Sequence, residues 1–271
     1  MWFIPLLIFL LIIILLLWLI APRRRRNTAP FDRIQYAHRG LHDNQTQQPE
    51  NSLAAFRAAR EAGYGVELDV RFTADRQIVV FHDDDLQRMC GDNRRVDACT
   101  YEELQTVRLL NSDERIPLLS DVLSELNGAP LLCEFKTMVL YTDTSLCAAA
   151  LSLLDEYNGP VCIESFNPFM VRWFRKNAPH YVRGILSKQF MKGEVAPLLR
   201  FPLASLFANV ICRPDFIAYQ HTDWQQPFFR LCRLFHPMTV AWTVRNSDEE
   251  SEAKRHFDTV IFEGYRPAKK D

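Results

Sequence analysis

From Pro130 onward, short apolar runs alternate with helix-like stretches and leave room for little else. The runs are LLCEF (131–135), VCIES (161–165), YVRGILS (181–187), DFIAYQ (215–220), MTVAWTV (238–244) and TVIFEG (259–264). Between most of them lie amphipathic stretches such as TSLCAAALSLLDEY, PFMVRWFRKNA, EVAPLLRFPLASLF, QPFFRLCRLF and SDEESEAKRHF. Strands that alternate with helices make a parallel sheet with the helices outside it. Upstream, IQYAH (34–38) and a run beginning at Val66 add two more strands. The helix SLAAFRAAREAG lies between them, with Asn51-Ser52 as its cap and Gly63 as its stop. Eight such units in about 240 residues predict a (β/α)8 barrel. The rival is an open doubly wound sheet, which often carries a glycine-rich phosphate loop after its first strand; none follows His38.

The N-terminus is different in kind. Residues 1–21 are apolar throughout and broken only by Pro5, a length that crosses a hydrocarbon layer of about 30 Å. A cleaved signal peptide is the alternative, but no basic residue precedes the run and no small-x-small site follows it. Arg23–Arg26 come next, and such a block stays on the cytoplasmic side. The expected organisation is a single transmembrane anchor over 1–21 with its N-terminus outside, a basic juxtamembrane linker over 22–30, and a cytoplasmic barrel domain over 31–271. Seven cysteines, with no CxxC or zinc-type spacing, predict buried free thiols. A net charge of −1 without a basic face argues against a nucleic-acid partner.

The most unusual stretch is GVELDVRFTADRQIVVFHDD (65–84). Glu67 and Asp69 are two apart on a strand and leave by one face. Two carboxylates there repel each other unless a positive charge sits between them, and a divalent cation is the simplest candidate. IVVFH is a second strand-like run, and the short gap Phe72–Gln77 makes the pair an antiparallel hairpin. Pairing Arg71 with Ile78 would set Glu67 opposite His82. Residues 84–128 are polar with short helical pieces and look like an excursion from the barrel.

Barrel active sites lie at the C-terminal ends of the strands. Taken in that order, the strand ends collect His38 and Arg39, then Glu67 and Asp69, Glu134 and Lys136, Ser165 to Asn167, Trp242 and Glu263. Glu67, Asp69 and Glu134 can hold one hard cation, Ca²⁺ or Mg²⁺, through oxygen. Arg39 and Lys136 can bind an anion. The imidazoles of His38 and His82 can serve as base and acid. Together these fit cleavage of a phosphate ester. Each has a plainer reading: a rim histidine, a structural Glu134–Lys136 pair, Asn51 as a helix cap, Trp242 as core packing rather than pocket wall.

The segments AHRG (37–40), PENS (49–52), VELDV (66–70), VVFHDD (79–84), IPLLSDVL (116–123), CEFK (133–136), SFNP (165–168) and AWTV (241–244) occur in an order that resembles the glycerophosphodiester phosphodiesterase family. The resemblance implies a (β/α)8 TIM barrel with a small insertion after the second strand, here about 84–128. It implies Glu67, Asp69 and Glu134 as ligands of one divalent cation, His38 and His82 as the catalytic pair, and Arg39 and Lys136 as phosphate contacts. Glu50 and Asn51 would border the substrate. Trp242, from its own place near a strand end, is expected in the pocket wall. The implied reaction hydrolyses glycerophosphodiesters to glycerol 3-phosphate and an alcohol through a cyclic phosphate. Two features depart from the family: the hairpin turn TADRQ lacks a glycine, and IFEGYRP stands where many members carry a threonine-aspartate pair, which leaves Glu263 without an assigned role. Phe190–Arg213 is rich in Leu and Phe, either an ordinary barrel segment or a bilayer contact. The alternatives are a lysophospholipase D-type activity on lysophospholipids, a metal-free phospholipase C-like barrel, and a non-catalytic membrane-tethered binding module.

Overall fold

The computed structural model describes residues 3–23, 28, 31 and 33–268. Helix α1 (Phe3–Ile20) precedes a barrel built from β1 (Tyr36–Ala37), α2 (Leu53–Glu61), β2 (Gly65–Phe72), β3 (Ile78–Val80), α3 (Gln87–Cys90), α4 (Tyr101–Leu104), α5 (Leu119–Leu126), β4 (Leu131–Phe135), α6 (Ser145–Asp155), β5 (Val161–Ser165), α7 (Pro168–Asn177), β6 (Val182–Ser187), α8 (Pro197–Ala204), α9 (Asn209–Cys212), β7 (Phe216–Gln220), α10 (Pro227–Cys232), β8 (Met238–Val244), α11 (Ser247–Ala253) and β9 (Thr259–Phe262). Eight parallel strands close on themselves because β1 pairs with both β2 (Tyr36↔Gly65) and β9 (Tyr36↔Ile261). This is the expected (β/α)8 barrel, and all seven cysteines are unpaired.

Strand periodicity decides which side chains enter the barrel. On β2, Val66, Leu68 and Val70 pack outward with Phe56, Cys133 and Phe135 in the layer between sheet and helices. Glu67 and Asp69 must therefore point inward. Lower in the barrel the interior is an apolar plug of Tyr36, Leu132, Cys162, Val182, Phe216, Val240 and Ile261. Gly184 makes the plug possible: a Cβ there would lie 2.1 Å from the Phe216 ring.

The hairpin differs from expectation. Arg71 pairs with Val79 and Phe72 with Ile78, so the register is shifted by one and Glu67 does not stand opposite His82. The cause is the turn. Thr73 N donates to Gln77 O at 3.0 Å, Gln77 N donates to Thr73 Oγ1 at 2.9 Å, and Arg76 adopts φ 62°, which closes the loop one residue tighter without glycine. The excursion that follows has its own small core of Phe81, Leu86, Met89, Val96, Leu104 and Ile116. Helix α5, at the end of the expected insertion, instead packs on α2 and contributes Leu119, Val122, Leu123 and Leu126 to the main core.

Helix α1 is 18 residues long, apolar and exposed along most of its length, and is long enough to cross a bilayer. Its last turn is built into the barrel. Ile20 is fully buried, and its carbonyl accepts from Asn209 Nδ2 at 2.7 Å. Arg213 donates to Trp18 O at 2.6 Å and to Ala21 O at 2.8 Å, with its guanidinium 4.7 Å from the Trp18 ring. Arg23 N donates to Pro214 O at 2.8 Å. The bonds from Asn209 and Arg213 satisfy carbonyls that the C-terminus of α1 leaves open. Arg213 and Pro214 immediately precede β7, so α1 docks at the N-terminal ends of the strands. Of the expected basic linker, residues 24–27, 29 and 30 lie outside the described residues.

Gly184→Ala is expected to lower stability by about 1–3 kcal/mol through overpacking against Phe216, measured by urea unfolding; an unchanged midpoint would show that the plug has slack there.

Candidate active site

Glu67 and Asp69 on β2 and Glu134 on β4 meet inside the barrel, where one oxygen from each lies within 4.8 Å of the others. All three are buried. Asp69 and Glu134 are register partners on adjacent strands, so the cluster follows from pairing β2 with β4. Burial and repulsion from Asp69 and Glu134 push the Glu67 carboxyl well above its usual range, and burial raises Glu134 as well. Burial works on Asp69 in the same sense but loses to Lys136, His82, Arg39 and the Asn51 amide, which hold it well below. Lys136 Nζ lies 3.1 Å from Asp69 and 2.8 Å from Glu134. Arg39 Nε lies 3.4 Å from Asp69, and the Arg39 backbone N–H donates to Glu67 at 3.0 Å. An all-oxygen set carrying uncompensated negative charge fits a hard divalent cation.

The loop after β1 is bent to reach this cluster. Arg39 and Asn51 both sit at φ 54°, a left-handed conformation uncommon outside glycine. Asn51 N donates to Arg39 O at 2.9 Å, and Asn51 Nδ2 donates to Asp69 at 2.9 Å. Asn51 therefore orients an acidic side chain, while Ser52 takes the cap of α2, its Oγ accepting from Ala55 N at 3.1 Å. Glu50 accepts from Arg39 at 2.6 Å, from Asn44 at 3.0 Å, and from two nitrogens of Arg88 at 2.7 and 2.8 Å. Those donors outweigh its burial and hold its carboxyl far below the usual range.

Both histidines are held through Nδ1. His38 Nδ1 is 2.6 Å from Glu263 Oε2, and His82 Nδ1 is 2.6 Å from Asp83 Oδ1. A carboxylate on Nδ1 places the proton there and leaves Nε2 to act. His38 Nε2 lies 4.0 Å from Glu67. Burial, reinforced by Arg39, pushes His38 down to about 4, so its ring is neutral at pH 7. The bond from His38 brings Glu263 down to about 2. Asp83 also falls to about 2, because its bonds with His82 and Arg88 overcome burial. Arg88, on α3 of the excursion, donates to Asp83 at 2.7 Å and so ties the His82 side to Glu50. Arg71 holds the His82 carbonyl with two bonds, at 2.9 and 2.6 Å.

A cavity of about 200 Å³ opens over these groups, and His38, Arg39, Glu67, His82, Glu134 and Lys136 all line it. Trp242 forms part of its wall, edge-on to Phe166 at 5.5 Å. Ser165 and Asn167 turn aside instead. Ser165 Oγ donates to Phe135 O, and Asn167 Nδ2 binds Thr137 Oγ1 and the carbonyls of Met138 and Tyr141, which shapes the loop after β4. Sequence reasoning assigned no role to Glu164, Asp83 or Arg88. Asp83 had a signal in its place beside His82. Glu164 had one in its parity with Cys162 on β5. Arg88 had none, since its partners are distant in the chain.

With this geometry in place, likeness to known proteins carries weight. The profile of the Glycerophosphoryl diester phosphodiesterase family matches residues 38–261. A glycerophosphodiester phosphodiesterase of Caldanaerobacter subterraneus is 35% identical over 244 residues, covering 83% of this chain and 91% of the relative. Glycerophosphodiester phosphodiesterase 1 of Rattus norvegicus is 40% identical over 264 residues, covering 84% of this chain and 76% of the relative. Among solved structures, an Oleispira antarctica phosphodiesterase in complex with the product sn-glycerol-3-phosphate superposes with TM-score 0.67 at 22% identity, over 84% of this chain and 92% of that one. At that identity the likeness speaks for the fold.

Adding Ca²⁺ or Mg²⁺ at 100 times its Kd is expected to stabilise the protein by about 2.7 kcal/mol, read as a rise in Tm. Glu134→Gln is expected to abolish most of that rise; a full rise in the variant would remove Glu134 from the cation site.

Proposed function

The chain belongs to the glycerophosphoryl diester phosphodiesterase family and is a phosphoric diester hydrolase; we propose that it hydrolyses water-soluble glycerophosphodiesters to glycerol 3-phosphate and an alcohol, using His38 and His82 on a substrate held by Arg39 and Lys136. The observation that carries this reading is the pair of imidazoles, each anchored at Nδ1 by a carboxylate and both lining the cavity above the acidic triad.

Arg39 and Lys136 bind non-bridging phosphate oxygens, the first as a fork and the second as a point charge. The neutral His38 ring takes the proton of the glycerol 2-hydroxyl at Nε2. The hydroxyl oxygen forms a bond to phosphorus, and the bond from phosphorus to the leaving oxygen breaks. His82 in its protonated form gives its Nε2 proton to that oxygen, so an alcohol departs and a cyclic phosphate remains. In the second half His82 takes a proton from water, the water oxygen bonds to phosphorus, the bond from phosphorus to the glycerol 2-oxygen breaks, and His38 returns its proton to that oxygen. Glu263 and Asp83 are positioning residues that keep both rings in the required tautomer. Glu67, Asp69 and Glu134 would hold Ca²⁺ or Mg²⁺, which when bound supplies neutralisation of phosphate charge and acidification of a nearby hydroxyl.

The placement of α1 supports a retained membrane anchor. Its last turn is part of the barrel's hydrogen bonding, and losing it would leave the buried Asn209 amide without Ile20 O. The basic run Arg23–Arg26 favours a cytoplasmic barrel. Because α1 docks at the N-terminal ends of the strands and the cavity opens at the other end, the site faces away from the bilayer. That favours soluble diesters over lysophospholipids.

His38→Ala and His82→Ala are each expected to lower kcat/KM on glycerophosphocholine by at least about 10³-fold with the fold intact by circular dichroism. In the same assay the wild type should turn over glycerophosphocholine at least about tenfold better than lysophosphatidylcholine. Wild-type rates in either variant would remove that histidine from catalysis, and turnover of the lipid alone would reverse the substrate assignment.

A further inference from the structure

We propose that Glu164 binds the terminal glycerol hydroxyl, the one remote from phosphorus, and so sets the preference of the site for a glycerol phosphate unit. The inference rests on the phosphodiesterase reading above and deepens it to one contact.

Glu164 lies on β5 beside Glu134 on β4, its register partner, about 4.8 Å away in strand spacing. It is 1% exposed, lines the same cavity as His38 and Lys136, and its Oε2 has no hydrogen-bond partner. It is not one of the three carboxylates whose oxygens converge within 4.8 Å. Below it lie Cys162 and the plug residues Val182 and Phe216, none of which offers a strong polar partner. Its register neighbour on β6 is Gly184, and the Phe216 ring fills the space a side chain would take. The carboxyl can be completed from the cavity side. A buried polar atom left incomplete is costly, and such atoms persist where a ligand completes them. Trp242 Nε1 is a second buried atom without a partner in the same cavity.

Position along the wall selects the ligand group. In strand order the wall presents His38, then Glu67 and Asp69, then Glu134, then Glu164. The attacking 2-hydroxyl belongs between His38 and the triad, so the next hydroxyl of a three-carbon unit falls toward Glu164. The cavity of about 200 Å³ suits a glycerol phosphate unit rather than a bulky head group. A carboxyl can accept from a hydroxyl or, when protonated, donate to it, so the contact does not depend on its charge.

The test is calorimetric binding of sn-glycerol 3-phosphate and of propane-1,2-diol 1-phosphate, which lacks only the terminal hydroxyl, to the full chain in detergent with Ca²⁺. The wild type is expected to bind the first about 10- to 100-fold more tightly. In Glu164→Leu that preference should fall below about threefold, with the Kd of the deoxy compound moving less than about threefold; Glu164→Gln, still able to hydrogen-bond, should keep at least about fivefold preference. Preference retained in Glu164→Leu overturns this proposal and leaves the phosphodiesterase reading standing. So does an equal loss of affinity for both compounds, which would mark a structural role. A wild type that binds neither phosphate overturns both.

Discussion

Three carboxylates on two neighbouring strands of one barrel wall are the constraint from which the rest of the site follows. Glu67, Asp69 and Glu134 are too close and too deeply buried to be ionised together without positive charge among them. Lys136 and Arg39 supply part of it, and neither could be there without further structure. Lys136 is two residues beyond Glu134 on the same strand line. Arg39 reaches Asp69 because the loop after β1 is turned into a left-handed conformation at Arg39 and again at Asn51. Glu50 then pairs with Arg39, and Arg88 from the excursion pairs with Glu50 and Asp83. A chain of alternating charges therefore runs from the centre of the barrel to His82. The excursion after β3 is part of the site, since it supplies the arginine that joins Glu50 to Asp83 in this chain.

Much of the barrel was legible in the sequence, because strand and helix periods are local. The limits of β4, β5 and β8 coincide with the apolar runs that announced them, and the shared face of Glu67 and Asp69 followed from their spacing alone. What was not legible depended on turns and on distance. The hairpin register turned on side-chain bonds of Thr73 and a positive φ at Arg76, which a pattern of apolar residues does not encode. Glu263 departs from the family pattern in sequence, yet in space it holds His38 across a separation of 225 residues. Arg88 and Glu164 acquire meaning through partners on other elements, Arg88 through Glu50 and Glu164 through the cavity. Helix α5 read as part of the excursion because its composition resembles the preceding segment; its packing on α2 assigns it to the barrel.

The two ends of the barrel divide the work. The N-terminal ends of the strands carry an apolar plug, the buried Arg183–Asp215 pair and the docked end of α1. The C-terminal ends carry the charged cavity. The one described helix long and apolar enough to cross a bilayer is thus fixed to the end of the barrel opposite the charged cavity.

We infer that the acidic triad does its work with a divalent cation in place. The most direct test is release of glycerol 3-phosphate from glycerophosphocholine by the purified full chain, first with excess chelator and then as Ca²⁺ or Mg²⁺ is restored. The requirement for a cation predicts that turnover disappears with the chelator and returns with saturable dependence on one of the two ions. Turnover that persists undiminished in the chelator would contradict it.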